Sequence, residues 1–422
     1  MILPQVNWNT RFAPANDNPQ KAKFEPALEG LRGLAAIWVF YSHAISSSYG
    51  LDQGYKPLAI FGGGLDAVLI FFIMSGYVIG ITNTDSFSGA KANLYLLRRA
   101  VRLLPMYLLA IAFSYLVSPI DSWQTVLGNI FFLQNLVVPI ISGNGPLWSL
   151  NYEFFYYLAF LAIWRFRPKI MPIMIGVVII VFVGTVFRGF PSILVSYLTG
   201  WFFWLFGLWL AWRVPSQNRE VSVPLLSAIL VLLATSELHL GGTLFTVLKL
   251  NNSGTLGLLS LGDVVSLPAC ISLFILVVNR PIQSNAARLI GALAFLMPFS
   301  AICYGVFLKK GGLGSENWIA AAIEIALAIA LFWFRLSPSI LNRFAFFGSI
   351  SYGIYIFHAP FIFFIRNYFP SSVSGTIWTF ILRLILLSIF TLVLSYLMEL
   401  KIQPKIKTWF QRNIVVRFKT NN

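Results

Sequence analysis

Residues 30–44 read GLRGLAAIWVFYSHA. The run is apolar enough to lie in a membrane, yet it carries Arg32 and His43. Ionisable side chains are costly in hydrocarbon and tend to face a bundle interior or a wet cavity, so the run predicts a membrane helix with one polar face. At about 100° per residue, the step from Arg32 to His43 closes about 20° past three full turns and rises about 16 Å. Both side chains then project from one side, Arg32 near a membrane surface and His43 near mid-membrane or beyond. A snorkelling arginine and an unrelated polar histidine are the plainer reading; a common polar cavity explains the shared face.

The rest of the chain supports a membrane setting. It has 422 residues, 58% hydrophobic and 10% charged, with mean hydropathy +0.78. Soluble domains carry about 25% charged residues. Apolar runs long enough to span recur from residue 28 to residue 399 and predict an all-α, polytopic transmembrane helical bundle of about 10–12 spans. Twelve is the direct count; ten follows if the weaker runs between 222 and 334 include re-entrant pieces. The formal net charge of +16 does not point to nucleic acid, because the charges are placed asymmetrically. With the N-terminus inside, most Lys and Arg fall on cytoplasmic segments, among them Lys91, Arg98, Arg99, Arg102, Arg165, Arg167 and Lys169. That is the positive-inside pattern, and an even number of spans puts both termini in the cytoplasm.

Three parts follow: a polar cytoplasmic N-terminal segment at 1–27, a transmembrane domain at 28–400 and a basic amphipathic tail at 401–422 suited to an anionic leaflet. The start carries no apolar core of a cleavable signal peptide. Cys270 and Cys303 lie inside apolar runs and read as small buried residues, not as a disulfide framework. No connection is long enough for a soluble catalytic domain. Neither a glycine-rich phosphate loop nor a metal-ligand spacing appears among the three histidines His43, His239 and His358. Any chemistry belongs inside the bundle.

Four further stretches carry candidate chemistry. In YLLRRAVRLLPMY, Arg98, Arg99 and Arg102 crowd one sector of a helix entrance at the cytoplasmic side. Such arginines can be interfacial anchors, but three guanidinium forks also suit phosphate. FFIMSGYVIG places Ser75 and Gly76 in the inner half of a span, where such a pair permits close helix packing or lets a ligand approach. NGPLWSLNYEFFYYL puts Glu153 near the outer end of another span, to pair with an arginine or to orient a histidine or hydroxyl. GSISYGIYIFHAPF brings Ser351, Tyr355 and His358 to one side of a helix, with His358 at the depth of His43 or further out. By depth, Glu324 and Arg383 form a structural pair.

Taken together, Arg32-x10-His43, FFIMSGY, Arg99-x-x-Arg102 with Pro105, PLWSLNYE and SISYGIYIFHAP resemble the acyltransferase-3 family of integral membrane acyltransferases that modify bacterial surface glycans. The motifs run in the family's order from about Leu28 to Pro360. Asp66 departs from the commonest spacing to the Phe-Phe pair, and the family's Glu-Arg-Pro is only echoed by Glu399 and Pro404.

The resemblance implies a multi-pass enzyme of the bacterial inner membrane. It would move an acyl group, usually acetyl, from cytoplasmic acyl-CoA (a donor substrate, not a permanently bound cofactor) to a hydroxyl of a glycan or lipid-linked glycan. Arg32, Ser75, Arg98, Arg99 and Arg102 would serve the donor. His43, at the position the family treats as catalytic, would act as general base or carry the acyl group, with Glu153 or His358 orienting it or the acceptor. Trp148, Asn151, Tyr152 and Tyr355 would contact the acceptor. No fused hydrolase-like domain follows, which implies a stand-alone member. A transporter or flippase would also use many spans and buried charges, and a non-catalytic subunit of an export complex would show no acetyl-CoA dependence. The missing internal repeat and the inner arginine cluster weigh against a transporter.

Overall fold

The computed structural model describes residues 25–45, 62–118, 120–187, 190–213, 221–241, 259–278, 284–308, 318–369 and 377–410. Its helices are α1 (Pro26–Ile45), α2 (Leu65–Thr82), α3 (Gly89–Val117), α4 (Trp123–Ile130), α5 (Trp148–Phe166), α6 (Ile170–Val186), α7 (Ser192–Arg213) and α8 (Leu225–Glu237). They continue as α9 (Leu267–Val278), α10 (Ser284–Leu308), α11 (Trp318–Ala330), α12 (Ala345–Ser349), α13 (Ser351–Tyr368), α14 (Ile377–Tyr396) and α15 (Gln403–Phe410). Among the described residues the extended pairings are isolated bridges, Gln134 with Val138 and Val223 with Leu336, so the fold is all-α as the apolar runs imply. Residues 1–24 of the expected N-terminal segment and 411–422 of the expected tail lie outside the described residues.

Six helical stretches among the described residues are long and apolar enough to cross a membrane. A seventh is reached if Pro338–Ser349 and Ser351–Tyr368, bent by 56° at their junction, count as one broken span. This is fewer than the 10–12 read from hydropathy runs. The difference has two sources. Helices α6, α8 and α11 have 17, 13 and 13 residues, at or below the length that crosses about 30 Å of hydrocarbon. Helices α1 and α5 are long enough, but polar side chains dilute their hydropathy: Glu29, Arg32 and His43 in one, Asn151, Glu153 and several tyrosines in the other.

Helix α2 packs along α7 at the centre of the bundle. The contact is backbone to backbone: a Cβ on Gly76 would meet the Trp204 carbonyl, and one on Gly207 would meet the Ile73 carbonyl. Membrane helices use small residues this way because van der Waals packing replaces the missing hydrophobic drive. Helices α10 and α14 lie at the periphery and turn Leu289, Leu296, Phe299, Leu382, Ile385 and Ile389 outward. Helix α1 packs on α12, α13 and the short helical turn Pro338–Phe344. It runs beside α13 in the same direction, since Arg32 shares a cavity with Ser351 and Tyr355 while His43 meets His358.

Between α4 and α5 the chain turns back into the bundle, irregular as far as the 3-10 turn Gly145–Leu147, with positive φ at Phe132 (57°) and Asn135 (65°). Such backbone survives at membrane depth only when protein groups satisfy it. Asn129 donates to the Pro139 carbonyl (2.9 Å) and accepts from the Ile141 amide (3.2 Å). The Gln134 amide donates to the Leu147 carbonyl at 3.2 Å. Asn151 donates to the carbonyls of Phe132 (2.5 Å) and Gln134 (3.0 Å).

Two prolines inside helices receive similar help. Proline has no N–H and leaves the carbonyl four residues earlier without its helical donor. For Pro105 that carbonyl belongs to Val101, and Gln403 at the start of α15 donates to it at 2.6 Å. For Pro360 it belongs to Ile356, and Asn144 of the re-entrant segment donates to it at 2.9 Å. The second bond ties the re-entrant segment to the turn of α13 that carries His358.

Candidate active site

Helices α1, α2, α3, α5 and α13 enclose a cavity of about 680 Å³, counted with its open mouth. Arg32, Arg99 and Arg102 supply its positive charge, and Val68, Phe71, Phe72, Met74, Val78 and Leu150 its apolar wall. Arg32 is held by Glu29 one turn away on α1, at 2.8 Å. The Arg99 guanidinium lies over the rings of Tyr95 (5.6 Å) and Tyr157 (5.4 Å), and its Nε is buried without a hydrogen-bond partner. Arg102 interacts through space with Glu153, Glu399 and Glu29. Arg98 is exposed and does not line the cavity, because the next residues, not this one, face α5 and α13.

Glu153 also lines the cavity. Its Oε1 accepts from Ser75 at 2.9 Å and from the Tyr157 hydroxyl. The expectation that Glu153 sits outward with His358 therefore changes: it joins Ser75 in the arginine-lined space. Of the Ser75–Gly76 pair, Ser75 faces the cavity and Gly76 packs against α7.

The two histidines meet. His43 Nδ1 lies 2.8 Å from His358 Nε2, with the ring centroids 5.0 Å apart and the planes inclined by 13°. His358 is fully buried, and its Nδ1 is 3.1 Å from the Ile354 carbonyl oxygen. Neither ring lines the cavity. Tyr355 stands between: it lines the cavity, and its ring is 5.8 Å from that of Phe71 and 6.1 Å from that of His358. Its hydroxyl donates to the Pro146 carbonyl (3.1 Å) and pairs with Ser149 Oγ (2.7 Å).

Of the remaining sequence candidates, Trp148, Asn151 and Tyr152 do not line the cavity. Asn151 holds the re-entrant segment. The Tyr152 hydroxyl bonds Ser196 at 2.7 Å, and its ring stacks on Tyr197 at 4.0 Å. Trp148 packs edge-on against Phe72, which is itself part of the cavity wall. Sequence reasoning passed over Ser149, Tyr157 and Tyr352 as site residues; Tyr157 was findable as the residue one turn after Glu153. Glu324 and Arg383 do not pair, since both Glu324 carboxylate oxygens are buried without a hydrogen-bond partner. Glu399 has a definite role: it accepts from the Gly353 amide at 2.9 Å and caps the start of α13.

Chemically, the guanidinium groups can hold an anion such as phosphate, the apolar wall can take a chain, and a hydrogen-bonded imidazole pair can move a proton.

A family model described as an acyltransferase domain matches residues 25–400. The chain is 33% identical over 159 residues to acyltransferase MdmB of Streptomyces mycarofaciens, covering 34% of this chain and 40% of that protein. It is 26% identical over 178 residues to peptidoglycan O-acetyltransferase OatA of Listeria monocytogenes, covering 35% of this chain and 26% of that one. Both alignments thus span less than half of the relative. No solved structure matches. The family match extends from the start of α1 through the cap on α13, and on that extent the chain belongs to the acyltransferase-3 family.

Proposed function

We propose that this chain is an O-acyltransferase of the bacterial inner membrane. It takes an acyl group, most simply acetyl, from cytoplasmic acyl-CoA and places it on a hydroxyl of a cell-surface or exported polysaccharide. The observation that carries the reading is a cavity with three arginines at one part of its wall and Tyr355, the neighbour of the His43–His358 pair, at another. Coenzyme A offers phosphates to the guanidinium groups and an extended arm to the apolar wall. The Arg99 Nε without a protein partner fits an anionic ligand. His43 acts on the acceptor hydroxyl as general base, or carries the acyl group between donor and acceptor. Glu153 and Ser75 belong to the donor side in this reading, and His358 supports His43.

The likeness to OatA, a peptidoglycan O-acetyltransferase, supports acetyl as the group and a glycan as the acceptor class. The Lys and Arg distribution supports cytoplasmic termini. A count of ten to twelve spans requires the shorter helices to cross as well. The deciding experiment incubates purified protein in liposomes with radiolabelled acetyl-CoA and isolated polysaccharide. Label should appear on the polysaccharide in ester linkage and be lost in His43→Ala. A protein that moves glycan but consumes no acetyl-CoA would make the transporter reading the right one.

A further inference from the structure

The two histidines differ in what their nitrogens face, and this orders the protons across the pair. The Ile354 carbonyl oxygen only accepts, so His358 Nδ1, 3.1 Å away, is the donor in that contact. With the ring neutral, His358 Nε2 then carries a lone pair. His43 Nδ1 lies 2.8 Å from that lone pair and must hold the hydrogen. A neutral His43 is left with its own lone pair on Nε2. We infer that His43 Nε2 is the reacting nitrogen of this enzyme and that His358 is a positioning residue, which fixes the tautomer and orientation of His43 through the chain Ile354 carbonyl, His358, His43.

This inference rests on the acyl-transfer reading and assigns its parts. The proton of the acceptor hydroxyl moves to His43 Nε2 as that O–H bond breaks. The oxygen lone pair forms a bond to the acyl carbon of the thioester, and the C–S bond breaks. The leaving thiolate takes the proton back from Nε2, so the products are an ester and a free thiol. Throughout, the Nδ1 hydrogen stays between His43 and His358, and the imidazolium present in mid-reaction is stabilised by the lone pair of its neighbour. The arrangement has the logic of a triad, in which a third group orients the base without exchanging protons with substrate. Here the orienting group is an imidazole held by a main-chain carbonyl. That suits a buried site, because no net charge is placed beside the base. Asn144, bound to the Ile356 carbonyl, and Tyr355, ring against ring with His358, hold the turn of α13 from which the orienting ring projects.

Two measurements on the full-length protein in bilayers test the assignment. Solid-state NMR of protein labelled with 13C,15N-histidine, with signals assigned through His43→Gln and His358→Gln, should show both rings neutral with the proton on Nδ1. A His43 ring protonated on Nε2 instead would overturn the inference, whatever the activity. In turnover assays, His358→Gln keeps an oxygen that accepts from His43 Nδ1 and should stay within about tenfold of the parent. His358→Leu offers no acceptor and should lose about 10³-fold or more in kcat with donor KM little changed, in line with the loss of an orienting group in a triad. Equal activity of the Gln and Leu variants would also overturn it. Failure of the acyl-transfer reading shows separately, as parent protein that consumes no acetyl-CoA, while the NMR measurement still reports the tautomers.

Discussion

Ser75 on α2 donates a 2.9 Å hydrogen bond to Glu153 on α5, so this carboxylate lies among the arginines of the cavity and not beside the histidine pair. Its negative charge opposes Arg102 and competes with any anion bound there. Glu153→Gln keeps the shape and an acceptor for Ser75 and Tyr157 but deletes the charge. We expect free coenzyme A to bind several-fold tighter, about 1 kcal/mol for a charge removed at this range. Turnover should fall as the tyrosine and serine lose a strong acceptor. Calorimetric titration with coenzyme A checks the first outcome, and weaker binding would remove Glu153 from the donor side.

The arginines differ by position. Arg99 and Arg102 line the cavity, whereas Arg98 is exposed and outside it. A hydrogen bond to a charged group contributes about 1.5–3 kcal/mol, so Arg99→Gln or Arg102→Gln should raise donor KM about ten- to a hundredfold. Arg98→Gln should leave it near the parent value. Steady-state kinetics at several acetyl-CoA concentrations separates the three; equal effects would return the cluster to the role of interfacial anchor.

What was legible in the sequence follows from what periodicity can carry. Arg32 with His43, and Tyr355 with His358, are spaced within single helices, and helical geometry alone brings each pair to one side. The meeting of His43 with His358 was legible only as matching depth. The place of Glu153 was not, because it depends on the path of 131–147, which returns into the bundle held by Asn129, Gln134 and Asn151. Hydropathy records how apolar a segment is, not whether it crosses or turns back. The same limit explains the span count: short apolar helices and long polar-faced ones blur the distinction between crossing and burial. Asn151 and Tyr152 resemble sugar contacts by residue type, yet the Asn151 amide nitrogen is engaged by the carbonyls of Phe132 and Gln134 and the Tyr152 hydroxyl by Ser196.

That engagement makes Asn151 a test of structure against substrate contact. Asn151→Leu leaves two buried carbonyls without this donor, at a cost of about 1–3 kcal/mol for an unsatisfied buried group. The thermal midpoint of the purified protein should drop. Among molecules still folded, acceptor KM should be unchanged; a raised acceptor KM at unchanged stability would restore Asn151 to the acceptor site.

Close approach of α2 and α7 gives a second stability prediction. Gly76→Ala puts a methyl group against the Trp204 carbonyl, and backbone on both sides leaves little room to yield. Overpacking costs about 1–3 kcal/mol in well-packed interiors. Gly176→Ala, where a Cβ would meet nothing within 4 Å, is the control. Fluorescence-detected size exclusion after a heating series should show early loss for the first and none for the second.

The prolines of α3 and α13 carry the last prediction, because each exposes a carbonyl that a distant amide side chain then satisfies. Gln403 donates to Val101, four residues before Pro105, at 2.6 Å. Asn144 donates to Ile356, four residues before Pro360, at 2.9 Å. If the side chains replace the missing backbone donors, then Gln403→Leu and Asn144→Leu should each destabilise by about 1–3 kcal/mol. Restoring the backbone N–H should relieve part of the loss, so Pro105→Ala should recover stability only alongside Gln403→Leu, and Pro360→Ala only alongside Asn144→Leu. Crossed combinations should add without relief, since the sites share no partner. A double-mutant cycle on thermal midpoints decides this. Because Asn144 reaches the turn of α13 beside His358, its variant should lower kcat as well, while Gln403→Leu should act first on the position of Arg102 and so on donor KM. Additive behaviour within the matched pairs would mean that the amides only fill space.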